Sequence, residues 1–176
     1  VTDVALFREA YGPLLQRNLV TPFPALHAGN KEFQCENCAI EAAGALAKLL
    51  EAESDTVAAL ILEPMVQGAG GMRMYHPEYL RRARELCTRH GVLLIADEIM
   101  TGFGRTGTMF ACGQAGIAPD LLCLSKGITG GFLPLSCVLS TDEVYASFWD
   151  DDAARGFLHS HSYTGNPLAC RAALAV

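Results

Sequence analysis

An α/β fold, with a mainly parallel sheet and helices on both faces, is the architecture this sequence predicts. Three observations carry it. Val57–Leu62, Val92–Ala96 and Leu121–Leu124 are short, continuous apolar runs, the signature of strands buried on both sides. Between them lie longer segments whose apolar residues recur at helical spacing. Gly and Pro punctuate most junctions, so strand and helix alternate as in sheets built from crossover units.

Residues 1–35 are the irregular part. Thr2 to Tyr11 reads as a short helix or turn, and Pro13, Pro22, Pro24 and Gly29 then punctuate a loop with little periodicity. Residues 36–176 read as one domain. From Glu36 to Glu53 the positions Ala39, Ile40, Ala43, Leu46, Ala47 and Leu50 mark one helix face. Pro64 ends the first strand, and Gln67 to Gly71 reads as a flexible loop. Pro77 opens a helix with Tyr79, Leu80, Ala83, Leu86 and Cys87 on its apolar face, and Gly91 closes it. A helix or turn is expected near Met109 to Ala115. Leu135–Leu139 is expected as an antiparallel or edge strand because Pro134 opens it. Thr141 caps a helix over Asp142 to Phe148, Asp150 to Gly156 is a polar loop, and Gly165-Asn166-Pro167 begins a final helix.

Composition narrows the function classes. The chain has 176 residues, 51% hydrophobic and 18% charged, enough to bury a core. A net charge of -6 without a basic run argues against nucleic acid or an anionic membrane as partner. No apolar run has the length of a membrane span. The seven cysteines are odd in number and sit mostly in apolar runs, which suits reduced core residues of a cytoplasmic protein. Cys35 and Cys38 form a lone CxxC with no second pair, and it falls at a helix start, so a packing role is expected. His159 and His161 lack a third ligand, so no metal site is expected.

The chemistry concentrates between Leu93 and Gly131. One apolar strand ends in Asp97, and a second ends just before Lys126, which is followed by Gly127, Gly130 and Gly131. A carboxylate and an amine delivered to one sheet edge suit pyridoxal phosphate, which needs a lysine for its aldehyde and an acid for its pyridinium nitrogen. Partial burial would lower the lysine's pKa and ready it for that role. The plain alternatives are a surface lysine, and an aspartate that caps a helix or pairs with Arg105. Glu98 falls on the opposite side of the strand from Asp97 by alternation, which suggests a structural role.

Four motifs in order, ILEPMVQGAGGMRMYHPEYLRRARELC, ADEIMTGFGRTG, LSKGITGG and HSHSYTGNPLACRAALA, resemble the class III (omega) aminotransferases. The likeness is dense from Val57 onward and thinner before it. It implies the large-domain core of a fold-type-I pyridoxal-phosphate transferase, with Lys126 and Asp97 as catalytic and cofactor-binding residues. It implies that His161 and Ser162 contact the cofactor phosphate of the neighbouring subunit, so a homodimer is needed, and that Ser160 lies near the substrate. Glu63 matches an acid on the substrate side of the pocket, though capping local amides would explain it as well. Met100 departs from the glutamine of many members and cannot donate a hydrogen bond.

Within the family the motifs are most similar to the biotin-synthesis branch. That branch implies amino transfer from S-adenosylmethionine to 8-amino-7-oxononanoate, both small molecules. Another class III activity on a diamine or omega-amino acid is the alternative. The same likeness implies an internal fragment, without the amino-terminal segment, the small domain and the residues that bind the substrate carboxylate, and therefore inactive alone.

Overall fold

The computed structural model describes residues 8, 9, 11–15, 18–24 and 35–176. Most of the predicted turn from Thr2 to Tyr11, and Gly29, lie outside the described residues; Gly12–Leu14 form a short 3-10 turn. Helix α1 spans Glu36–Glu53 and helix α2 spans Glu78–His90. Strands β1 (Ala59–Leu62), β4 (Leu93–Asp97), β5 (Leu121–Leu124) and β6 (Cys137–Ser140) form one sheet in the order β1-β4-β5-β6. The first three are parallel and β6 runs antiparallel to β5 at the edge, as Pro134 suggested.

Register fixes the faces. Ile61 pairs with Ile95 and Ile95 with Leu121; Asp97 pairs with Cys123 and Cys123 with Val138. Leu94, Ala96 and Glu98 alternate to the other side and are fully buried. On that side α1 and α2 pack together through Leu46, Leu50, Ala83, Leu86 and Cys87, against Leu94, Leu60 and Leu62. Burying a leucine there contributes about 1.5–3 kcal/mol. The helical cover expected on both faces is present on this one. Across the sheet, Ile61 (40%), Leu93 (38%) and Val138 (57%) remain accessible. Continuous apolar runs announce burial on both faces, and α1 and α2 supply only one of the two covers.

The helices follow local chemistry. The Cys35 sulfur accepts a hydrogen bond from the Cys38 amide at 3.2 Å and caps α1, so the CxxC is a helix start. On α1, Ala42 is buried while Ile40 turns outward. On α2 the buried set is the predicted one, Tyr79, Leu80, Ala83, Leu86 and Cys87. Gly91 ends α2 at φ 66, a conformation that costs glycine little. Arg84 donates to Asp120 at 2.6 Å, and the same Asp120 oxygen accepts the Leu94 amide at 2.6 Å. That clamp ties α2 to the amino ends of β4 and β5.

Other segments shift modestly from expectation. The loop over Gln67–Gly71 is closed by a two-residue hairpin, β2 (Val66–Gln67) against β3 (Arg73–Met74). Helix α3 is a single turn, Cys112–Ala115. Helix α4, Asp142–Ala146, is capped by Thr141, whose oxygen accepts the Val144 amide at 3.4 Å. The polar loop at 150–156 holds a 3-10 turn braced by an Arg155–Asp150 ion pair at 2.9 Å. Helix α5, Pro167–Ala173, is capped by Asn166 and packs against the turn that begins at Lys126. Among the described residues no helix is long and apolar enough to cross a membrane.

Candidate active site

Asp97 is the last residue of β4 and lies half-buried at the carboxyl edge of the sheet. Its Oδ1 accepts the Ile99 amide at 3.1 Å. Oδ2 has no hydrogen-bond partner among the described residues. The described ion pairs do not include one with Arg105. Its strand partner Cys123 sits on neighbouring β5, three residues before Lys126. Parallel pairing therefore brings the acid and the lysine to the same end of adjacent strands, where open α/β sheets bind ligands.

Lys126 starts a 3-10 turn, Lys126–Thr129, with φ 41. A left-handed backbone at a residue with a Cβ is strained, and such strain gathers at functional positions. The surroundings hold it in place. Ser125 donates its hydroxyl to Leu135 O at 2.7 Å, and Thr129, fully buried, donates to Leu133 O at 2.6 Å. The expectation of a partly buried lysine is corrected: Lys126 is exposed. β5 ends at Leu124, and the left-handed turn lifts the next residues off the strand line.

Glu98, one residue after Asp97, is fully buried and faces the other way, as alternation requires. Its Oε2 accepts the Ala111 amide at 2.8 Å and the Thr101 hydroxyl at 2.9 Å; its Oε1 accepts the Cys112 amide at 2.8 Å. This carboxylate closes the loop 99–110. Burial, then the nearby Glu98 charge, pushes the Cys112 thiol far up. Within the loop Phe103 sits at φ 60, edge-on to Phe110 with centroids 5.8 Å apart. Phe103 also meets Gly127: a Cβ there would lie 2.9 Å from the Phe103 Cβ. Sequence reasoning missed Thr101, Phe103 and Thr129. The one signal for Phe103 was its place between glycines in TGFG.

Glu63 lies half-buried after β1 and accepts the Gly68 amide on Oε2 at 2.9 Å. One oxygen thus caps its own loop, the plainer of its two expected roles. The Tyr75 hydroxyl donates to Glu63 O at 2.7 Å and anchors the same turn. Met100 packs over this loop: a Cβ on Gly68 would lie 2.6 Å from its sulfur. Here methionine fills space, and no side chain larger than hydrogen fits at Gly68 unless Met100 moves.

Ser160, His161 and Ser162 are exposed in the segment before α5. The His161 amide donates to Thr164 Oγ1 at 3.1 Å and the Tyr163 amide to His161 Nδ1 at 3.1 Å, so the segment is organised by its own side chains. No hydrogen bond joins these three to Asp97 or Lys126 among the described residues. Within one chain, strand pairing carries Asp97 and the segment leading into Lys126 to the same end of the sheet, and the serine-histidine segment shares no hydrogen bond with either residue among the described residues. The hollow beside α4, about 450 Å³ between Asp142, Tyr145, Ala146 and Trp149, is an open depression that includes neither.

Comparison with known proteins adds independent findings. A family model described as Aminotransferase class-III matches residues 3–176. An adenosylmethionine-8-amino-7-oxononanoate aminotransferase of Nitratidesulfovibrio vulgaris is 46% identical over 98% of this chain and 32% of its own length. One of Helicobacter pylori is 48% identical over 99% of this chain and 38% of its own. The crystal structure of the enzyme of that name from Methanocaldococcus jannaschii superposes with a TM-score of 0.80 at 37% identity, covering 97% of this chain and 37% of that one. A PLP-bound amine transaminase from an uncultivated Pseudomonas species superposes with a TM-score of 0.74 at 43% identity, over 80% of this chain and 32% of that one. The chain thus spans well under half the length of the relatives it matches.

Proposed function

Because this chain belongs to the class III aminotransferases, we propose that it is part of a pyridoxal-phosphate-dependent enzyme that transfers an amino group from S-adenosylmethionine to 8-amino-7-oxononanoate, giving 7,8-diaminononanoate for biotin synthesis. The names of the relatives at 46% and 48% identity support the substrate. The single observation that carries the site is the placement of Asp97 and Lys126 at the carboxyl ends of paired parallel strands.

The residues present fit the cofactor. Asp97 keeps one carboxylate oxygen unengaged among the described residues at a half-buried strand end, as a partner for a pyridinium N–H requires. The Lys126 side chain is accessible, and its backbone is braced on both sides by the Ser125 and Thr129 hydroxyls. Bound there, pyridoxal phosphate supplies an aldehyde for a lysine amine and a ring that accepts the electron pair released at the substrate carbon. Asp97 would hold the proton on the ring nitrogen. Lys126 would tether the cofactor and carry a proton to and from the substrate carbon that bears the amine. Ser162 with its hydroxyl and His161 with its backbone would hold the phosphate across a homodimer, which suits their exposure in a single chain. Ser160 and Glu63 would border the substrate. Residues 36–176 would be part of the cofactor-binding large domain, and the seven cysteines, none in a disulfide, suit a cytoplasmic location.

The test is covalent. Addition of pyridoxal phosphate followed by borohydride is expected to fix the cofactor's mass on the peptide that contains Lys126, and Lys126→Ala should abolish it. A label that survives Lys126→Ala sinks the assignment. The 43% identity to an amine transaminase favours a second reading, amino transfer from a simple amine to a carbonyl acceptor. An acceptor screen on the intact protein separates the two: turnover of 8-amino-7-oxononanoate with S-adenosylmethionine supports the first, and turnover of simple ketones alone supports the second.

A further inference from the structure

Glu98 is the most deeply buried acid of the described residues, and the chemistry above does not use it. Its charge is met by two backbone amides and one hydroxyl, all within 2.9 Å. A buried carboxylate is a costly way to fasten a loop, and it is kept only where the donors are well aimed. The two amide donors are far along the chain: Ala111 and Cys112 lie 13 and 14 residues away. The carboxylate therefore cinches loop 99–110 into a closed ring at the end of β4. That ring abuts the end of β5: a Cβ on Gly102 would lie 2.9 Å from Glu98 O and 3.6 Å from the Leu124 Cδ2. Phe103 projects from the ring at φ 60 and fills the space beneath Gly127. Gly127 adjoins Lys126, whose backbone is itself left-handed.

We infer that Glu98 is a positioning residue: its clamp on loop 99–110 drives Phe103 against Gly127 and so holds Lys126 in its strained conformation. This rests on the proposed role of Lys126 and adds a mechanical link from the strand that carries Asp97 to the turn that carries the lysine. One strand end would then serve both halves of the site. Asp97 faces one side and offers an oxygen. Glu98 faces the other and fixes where the amine stands.

Glu98→Gln is nearly isosteric but places an amide donor where a backbone N–H already points, leaving a buried donor unpaired. Hydrogen exchange of the intact protein without cofactor is the first readout. Exchange should rise roughly tenfold or more at 99–112 and also at 126–130, with α1 unchanged, since a loss near 1.4 kcal/mol is about a factor of ten. The dissociation constant for pyridoxal phosphate should rise by a similar factor. Phe103→Ala leaves the clamp intact and should loosen 126–130 alone. It also decides the matter should Glu98→Gln open the whole molecule. Faster exchange confined to 99–112, with cofactor affinity unchanged, overturns the inference, as does a Phe103→Ala protein with wild-type exchange at 126–130. Wild-type protein that takes up no cofactor refutes the role of Lys126 instead, and the exchange comparison still stands by itself.

Discussion

Residues 36–125 and residues 126–176 behave as two different materials. The first region closes its own core: nearly every buried side chain lies there, from Cys38 to Leu124. In the second, only Thr129 and Ala169 are buried, while Phe132 (87%), Leu158 (86%) and Trp149 (75%) stand in solvent. Both regions are rich in apolar residues, so composition does not separate them. What differs is whether a packing partner is carried within the described chain. The proposed site straddles the divide: Asp97 and Glu98 belong to the closed region, Lys126 stands on the seam, and Ser160 to Ser162 belong to the open one. An acid needed in a fixed place sits on a finished core. Groups proposed to serve across a dimer sit on a surface of the kind that marks interaction sites.

The contrast is broken most directly by truncating one apolar residue on each side. Leu80, fully buried in the cluster that α2 shares with α1, the β2–β3 hairpin and α3, should cost about 2–5 kcal/mol as Leu80→Ala, because a cavity adds to the lost burial. Leu158→Ser should change unfolding of the monomer by less than about 0.5 kcal/mol, since its side chain is exposed among the described residues. Urea denaturation of both variants checks this. The same Leu158→Ser should shift a monomer–dimer equilibrium in sedimentation if the open region is an interface. Equal losses of stability in both variants would erase the distinction between the regions.

Legibility in the sequence follows distance along the chain, not that divide. The faces of α1 and α2, the ends of β4 and β5, and the opposed directions of Asp97 and Glu98 depend on spacing within a few residues, and spacing is visible in a string of letters. The Arg84–Asp120 clamp joins positions 36 apart, and the Glu98 bonds to Ala111 and Cys112 join positions in a loop without periodicity. Neither has a local signal. The motif singles out Lys126 as the candidate, but its φ of 41 and its exposure are not readable from it, because they depend on how β5 ends against loop 99–110. The hairpin of β2 and β3 was read as a loop because two-residue strands leave almost no pattern.

A second prediction sharpens the closed side. Burial raises the Tyr79 hydroxyl from its ordinary value near 10 to about 12, and burial likewise raises the Cys87 thiol to about 11. Both groups are favoured protonated in the fold. Their contribution is therefore complete below the unfolded pKa and is lost as pH rises, from about 9 for Cys87 and about 10 for Tyr79. For Tyr79 alone the two-unit shift corresponds to about 2–3 kcal/mol by pH 12. Tyr79→Phe should flatten the alkaline limb of a stability–pH curve measured by urea unfolding. An unchanged limb would mean that α2 opens locally before the phenol titrates.

The smallest effect concerns the open side. Helix α5 buries only Ala169, so its formation depends on its start: Pro167 presets the first turn, and Asn166 Oδ1 accepts the Leu168 amide at 2.9 Å and the Ala169 amide at 3.4 Å. Asn166→Ala should cost about 1 kcal/mol. In a region that closes no core, that loss should remain local. Amides of 168–174 should exchange about five times faster, while α1 and the midpoint of global unfolding stay put. On the closed side, removing the Cys35 cap of α1 should show up in the global midpoint, because α1 is welded to α2 through Leu46 and Leu50. A cap mutation that moves the global midpoint from 166 but not from 35 would reverse the assignment of which region holds the fold together.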